Sequence, residues 1–282
     1  MKIVFSPKCL EYGEPGHPES PERVEAVYNF LKDKYDFIEP QPCSDEDILC
    51  VHTKEHLAAV KANNFFDPDT PNLPGMFDYA KLSAGAAMLA AKTAGQGEAA
   101  FSLMRPPGHH AGKNFLGGFC YLNNLAIAVK YSQAKLGAGK VAILDIDCHH
   151  GNGTQDVFLG EHDVLYVSLH RHPFYPGTGQ VTEKNCINFP LRADTSEPVY
   201  LRTLQQGLAK IVEFKPQLLA VSAGFDTYED DPIASLGLGI KSYGTMSGLI
   251  SALHIPTFVI LEGGYSQEMP RCVHEFLKGF LR

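Results

Sequence analysis

Four short runs of β-branched and aliphatic residues recur along the chain, at 140–147, 163–170, 217–224 and 257–263, and each closes on polar or glycine residues. Each run is nearly continuous in apolar character, as expected of strands covered on both faces. Residues 99–104 and 3–5 are shorter candidates of the same kind. Helical patterns lie between them at 22–34, 82–93, 123–136, 200–214 and 243–253, the first opened by Ser20 and Pro21. Strands alternating with helices predict an α/β fold with a mostly parallel sheet and helices on both faces. Such folds bind ligands at the carboxyl ends of their strands. Asp145, Asp147, His149, His170, Asp226 and Glu262 all fall at, or just past, those ends.

At 282 residues the chain is long enough to bury a sizeable core, and no linker divides it, so residues 1–282 read as one domain. A net charge of −8 argues against nucleic acid as a partner, because phosphate binding needs basic surface. No apolar run approaches the roughly 18 residues of a membrane span, and the early Pro7 interrupts any secretory segment, so no membrane partner is expected. The seven cysteines are odd in number and scattered, which predicts free thiols and a cytoplasmic setting. Residues 63–77, with three prolines, read as a long surface loop. Nothing in the pattern speaks to oligomeric state.

Several constellations carry chemistry. In Asp145-Ile-Asp147-Cys-His149, alternate residues of a strand can face one site, and carboxylate and imidazole are suitable ligands for a divalent metal. Three polar residues at the end of an apolar strand are costly to bury unless compensated. Asp226, in Ala223-Gly-Phe-Asp226, can add a third ligand, although a lone Asp after a strand is ordinarily a cap or turn residue. Two carboxylates and one histidine would leave an open coordination position, the arrangement of a catalytic metal. His109 and His110 follow Arg105-Pro-Pro-Gly108, a stiff segment ending in a glycine that permits close approach, and suit a proton-transfer pair. Tyr265, after Gly263 and Gly264, can present its hydroxyl to a developing oxyanion. Phe119 and Tyr175 lie in glycine-bearing aromatic loops that can wall an apolar channel.

These segments together resemble the histone deacetylase superfamily, including its bacterial members. The resemblance runs through residues 16–23, 105–110, 118–123, 145–155, 177–179 and 261–265 in the family's order. It implies a single α/β domain with an eight-stranded, mainly parallel sheet of the arginase–deacetylase type. It implies zinc (Zn2+) held by Asp147, His149 and Asp226, with His110 as general base, His109 as its partner, Asp145 orienting His109, and Tyr265 as the transition-state donor. Asn152 stands where some members carry an Asp, the class II and bacterial amidohydrolase pattern; an uncharged orienter leaves His110 less basic. By the same analogy Phe119 and Tyr175 flank an acyl-lysine channel, with Gly108 and Gly264 beside it. A potassium ion (K+) is implied near Asp145, Asp147, His149, Ser168 and Leu169, and a second around Phe158 and Val164.

The resemblance therefore implies zinc-dependent hydrolysis of an acylated lysine in a peptide or protein. A rival substrate is a small acylated amine such as an acetylpolyamine. Polyamine-selective relatives place a Glu just after Asp-Pro, whereas Ile233 follows Asp231-Pro232 here. A ureohydrolase fits less well, because His149 is followed by His150-Gly151 and Asp226 by Thr227-Tyr228 and not by further metal-ligating carboxylates. A non-catalytic acyl-amine binding protein is disfavoured by retention of the whole constellation.

Overall fold

The computed structural model describes residues 1–281. The chain begins with β1 (Lys2–Val4), α1 (Pro21–Leu31) and β2 (Asp36–Ile38), followed by α2 (Asp45–Leu49), α3 (Lys54–Lys61), α4 (Met76–Gly95) and β3 (Ala100–Ser102). It continues through α5 (Asn124–Lys135), β4 (Val141–Asp145), α6 (Asn152–Phe158), β5 (Val164–Arg171) and β6 (Cys186–Leu191). It ends with α7 (Glu197–Phe214), β7 (Leu218–Ala223), α8 (Ile240–Ser251), β8 (Thr257–Leu261) and α9 (Met269–Lys278).

All six expected strands are present. Two more, β2 and β6, form the edges, and the eight-stranded order is β2-β1-β3-β8-β7-β4-β5-β6 with every pairing parallel. The edge strands escape the pattern because neither is continuously buried; β2 has no buried residue at all. The long surface loop stops at Gly75, whose left-handed φ of 73° starts α4, so Met76 and Phe77 are helical. The short α2, α3 and α6 and the amphipathic α9 had no clear signal. No described helix is long and apolar enough to cross a membrane. The seven cysteines are unpaired.

Strands β3, β4, β7 and β8 are buried along their whole length, and β1 and β5 all but one end residue each. Helices α4 and α5 pack together on one side, while α7 covers β5 and continues through α8 and α9 to α1 on the other. Gly207 of α7 lets this cover sit close: a Cβ there would stand 3.0 Å from Val167 Cγ1. Register partners in a parallel sheet project to one face. Asp145 pairs with Ser168 and Ser222, Ile260 with Ser222 and Ser102, and Ser168 with Asn188. One face thus carries a row of polar side chains near the carboxyl edge.

The connections leading to that edge are pinned by buried ions. Arg105, fully buried, grips Glu19 with Nε at 2.7 Å and Nη2 at 2.8 Å, and Arg23 Nη1 reaches the same carboxylate at 3.1 Å. Buried neutral histidines tie other loops. His52 Nε2 accepts the Asn123 N–H at 2.9 Å, which leaves Nδ1 to donate to the Gly112 carbonyl at 2.8 Å. His170 bridges Ser168 Oγ and the Gly179 carbonyl.

Burial holds His52 and His170 down to about 3. The unfolded chain therefore binds two protons near pH 6 that the folded chain refuses. The stability that these two histidines contribute should fall as pH drops from about 6 to 5, by about 1.4 kcal/mol per pH unit for each. Urea titrations of wild type and His52→Gln across that range check this, and equal slopes in the two proteins would contradict it.

Candidate active site

The strand order brings the chemistry together. β3, β8, β7 and β4 are neighbours in the sheet, and their carboxyl ends run into Arg105–His110, Glu262–Tyr265, Gly224–Asp226 and Asp147–His149. Segments more than 150 residues apart thus meet along one edge, as the Gly108 N–H to Glu262 Oε2 bond (2.7 Å) shows.

Strand β4 ends at Asp145, so Asp147 and His149 do not project from a strand as the period-two argument expects. Instead each amide turns back onto a carboxylate: Asp147 N–H donates to Asp145 Oδ1 at 3.2 Å, and His149 N–H to Asp147 Oδ1 at 2.8 Å. This turn separates two roles. Asp145 points to the histidine pair, accepting from His109 Nδ1 at 3.2 Å and Tyr166 Oη at 3.0 Å. Asp147 and His149 converge with Asp226 in a buried group whose ligand atoms all lie within 4.8 Å of one another.

That group fits a metal. His149 Nδ1 lies 3.0 Å from Asp147 Oδ1 and 2.9 Å from Asp226 Oδ2. Asp147 Oδ2 accepts the Gly263 N–H and Asp226 Oδ1 the Cys148 N–H, both at 2.9 Å, but the buried Asp226 Oδ2 has no hydrogen-bond donor. An orphaned carboxylate oxygen facing an imidazole nitrogen is a donor set that a cation would satisfy. Gly263 keeps the cradle open, since a Cβ there would come within 2.7 Å of both Asp147 Oδ2 and Asp226 Oδ2. Two oxygens and a nitrogen suit zinc.

The two histidine rings lie 4.0 Å apart between centroids, tilted by 47°, yet their environments shift them in opposite directions. Burial lowers His109, but the charges of Asp147, Asp145 and Glu262 outweigh it and carry the ring up to about 10. Burial and then the neighbouring imidazoles push His110 well below its ordinary range. His110 Nδ1 donates to Asn152 Oδ1 at 2.8 Å, so the unprotonated Nε2 is available as a base. Opposite shifts in adjacent imidazoles are what an acid–base pair requires.

Above lies a cleft of about 390 Å³ whose lining includes His109, His110, Asp147, His149, Tyr265 and the aromatic rings Phe119, Phe174 and Tyr175. Phe174 stacks on His149 at 5.1 Å, and Tyr175 meets His110 edge-on at the same distance. Phe119, at a φ of +71°, is held by the bond from its N–H to Thr70 Oγ1 (3.0 Å). Burial keeps the Tyr265 phenol protonated by raising it well above its usual range.

The remaining expected residues divide. Gly108 and Gly264 do not line the cleft, while their neighbours Pro107 and Gly263 do. Gly108 packs behind, where a Cβ would stand 2.6 Å from the Asn124 nitrogen, and Gly264 backs onto Phe225. Ser168 and Leu169 of β5 lie beside Asp145, with Ser168 Oγ bonded to His170 Nδ1 at 2.8 Å. Around Phe158 and Val164, where a second potassium ion is implied, both carbonyls accept from Asn185 Nδ2, at 2.8 and 2.9 Å.

Several participants were not singled out from the sequence. Arg23 donates to the Gly264 and Glu262 carbonyls at 2.6 and 2.9 Å and lies 4.6 Å from the Tyr265 ring centroid. Asp231 accepts the Tyr265 N–H at 2.7 Å and the Ile233 and Ala234 amides at 3.0 and 3.1 Å. The only sequence signal was their adjacency to the motifs. Phe174, by contrast, belongs to an aromatic loop already expected to wall the channel, and it does line the cleft.

A parallel α/β sheet with a buried Asp-His-Asp group, a histidine pair and a tyrosine at its carboxyl edge defines a hydrolase centre compatible with a metal. Residues 17–280 match the histone deacetylase domain, and the chain belongs to that family, an amide-cleaving hydrolase of the deacetylase type. It is 40% identical to a probable deacetylase of Archaeoglobus fulgidus over 94% of this chain and 81% of the relative. It is 36% identical to an acetylpolyamine amidohydrolase of Burkholderia pseudomallei, over 86% and 75% of the two chains. The crystal structure of the HDA15 HD domain superposes with a TM-score of 0.94 at 32% identity, covering 100% of this chain and 91% of that one.

Removing one carboxylate should abolish metal retention. Asp226→Ala, dialysed and assayed by elemental analysis, should hold less than about a tenth of the wild-type metal. Stoichiometric binding by the variant would refute the ligand assignment.

Proposed function

We propose that residues 1–282 form one catalytic domain, a zinc-dependent deacetylase that removes acetyl or related acyl groups from an amine such as a lysine side chain. One observation carries the reading: His110, bonded through Nδ1 to Asn152, and His109, bonded to Asp145, stand beside the Asp147–His149–Asp226 group at the foot of an apolar, aromatic-walled cleft.

Zinc held by Asp147, His149 and Asp226 would supply Lewis acidity toward the amide carbonyl and the attacking water. The chain's own groups do the rest. The rings of Phe119, Phe174 and Tyr175 exclude water around an uncharged acyl-amine stem. His110 Nε2 takes a proton from water while Asn152 holds the ring by Nδ1. The Tyr265 hydroxyl donates to the developing oxyanion. A protonated imidazole of the pair then gives its proton to the leaving nitrogen, and a carboxylic acid and a free amine result. Asp145 keeps His109 oriented and charged.

A potassium ion beside Asp145, Ser168 and Leu169 belongs to the same proposal. Its support is that the main-chain carbonyls of Asp147 and His149 accept no hydrogen bond among the described residues. A cytoplasmic setting accords with seven unpaired cysteines.

A second substrate reading, a small acetylated amine, is favoured by the acetylpolyamine amidohydrolase relative and by Asp69 at the cleft lining. Ile233, on the same lining, favours the longer peptide substrate, because an apolar side chain offers a distal ammonium nothing.

Tyr265→Phe should lower kcat by about 10²–10³-fold while metal content stays at the wild-type level. Full activity in that variant would remove the oxyanion role. Parallel turnover of an acetyl-lysine peptide, an acetylated polyamine and longer acyl-lysines tests the substrate. Preference for the peptide by tenfold or more in kcat/KM is expected, and the reverse order would favour the small amine.

A further inference from the structure

Glu262 is a fully buried carboxylate that the mechanism above leaves without a task. Its two oxygens are committed. Oε2 accepts the N–H of Gly108 at 2.7 Å and of His109 at 3.2 Å, while Oε1 accepts the Ser222 hydroxyl at 2.9 Å. Its main chain is held as firmly. The Glu262 N–H donates to the Ala223 carbonyl at 2.9 Å, and its carbonyl accepts Arg23 Nη2 at 2.9 Å. Three residues further on stands Tyr265. One residue therefore joins the loop that carries the histidines to the turn that carries the tyrosine.

The geometry matters because the His109 ring is located from three directions. Asp145 holds Nδ1, the Thr154 N–H at 3.0 Å holds the carbonyl, and Glu262 holds the amide. Without Glu262 the amides of Gly108 and His109 lose their only acceptor among the described residues, and two buried N–H groups are left unpaired. The loop would shift to find partners and carry both imidazoles with it. We propose that Glu262 is a positioning residue, setting the histidine pair against Tyr265 through its bonds to the Gly108 and His109 amides. The proposal rests on the deacetylase reading for its kinetic consequence.

What the amides require is an acceptor. A glutamine in the same rotamer supplies one oxygen for both N–H groups and turns its NH2 toward Ser222 Oγ, which can accept. An alanine supplies nothing. The test compares Glu262→Ala and Glu262→Gln with wild type on an acetyl-lysine peptide and an acetylated polyamine. kcat and KM are determined separately, together with zinc content, thermal midpoint and hydrogen exchange of the peptide spanning residues 105–111. In Glu262→Ala, kcat should fall about 10- to 100-fold with KM within about twofold, since a displacement near 1 Å is costly to chemistry and cheap to binding. Zinc content should not change, and exchange at Gly108 and His109 should rise. Glu262→Gln should recover kcat to within about threefold and restore protection.

The proposal is overturned if Glu262→Ala keeps wild-type kcat and protection, or if Glu262→Gln falls as far as Glu262→Ala. Loss of zinc along with kcat would also overturn it, by assigning the residue to the metal site. If wild type itself turns over neither substrate, the deacetylase reading fails, and the exchange data alone decide whether Glu262 holds the loop.

Discussion

Four carboxylates, Asp145, Asp147, Asp226 and Glu262, stand almost out of reach of water along one edge of a buried sheet. Burying charge at that density is prohibitive unless every oxygen is compensated. Main-chain amides of Asp147, Cys148, His149, Gly263, Gly108 and His109 are spent on them, and those amides come from the loops after β3, β4 and β8. The loops are where they are because the carboxylates need them. What this accounting leaves over is one oxygen of Asp226 and an imidazole at 2.9 Å, and that remainder is the place for a cation.

The same carboxylates create the division of labour between adjacent histidines. His109 lies among three of them, which raise it, whereas His110 is offered an uncharged amide and is pushed down by burial. In the proposed reaction, two chemically identical side chains at neighbouring positions serve as acid and base through what the fold puts beside each. Beneath this, Glu19 ties both catalytic loops to one buried point, with Arg105 leading to the histidines and Arg23 gripping the turn before Tyr265. Breaking such a pair is expensive because the partner charge stays buried. The aromatic cleft above can then be shaped by longer loops without disturbing the chemistry.

Much of this was legible in residue order. The interior strands announced themselves as apolar runs, since a strand covered on both faces has no polar side to show. Edge strands β2 and β6 and the small helices lacked that signature, because partial exposure permits ordinary loop composition. Asp147 and His149 stood out as polar residues at the end of an apolar strand, whereas Asp226, His109, His110 and Tyr265 drew their roles from the family resemblance. Arg23, Asp231 and the work done by Glu262 were not legible, as each acts through main-chain or stacking contacts that leave no spacing rule.

By itself the sequence determined an alternating α/β chain, the strands that fill its interior, and the residue types able to bind a metal and move protons. Those are properties of neighbours along the chain, where periodicity and composition suffice. Tertiary structure decided that β3, β8, β7 and β4 lie side by side, and that β4 stops at Asp145 so that Asp145 and Asp147 serve different partners. Such outcomes depend on which distant groups share a buried volume, and compensation of charge there is settled only when all of them are packed at once.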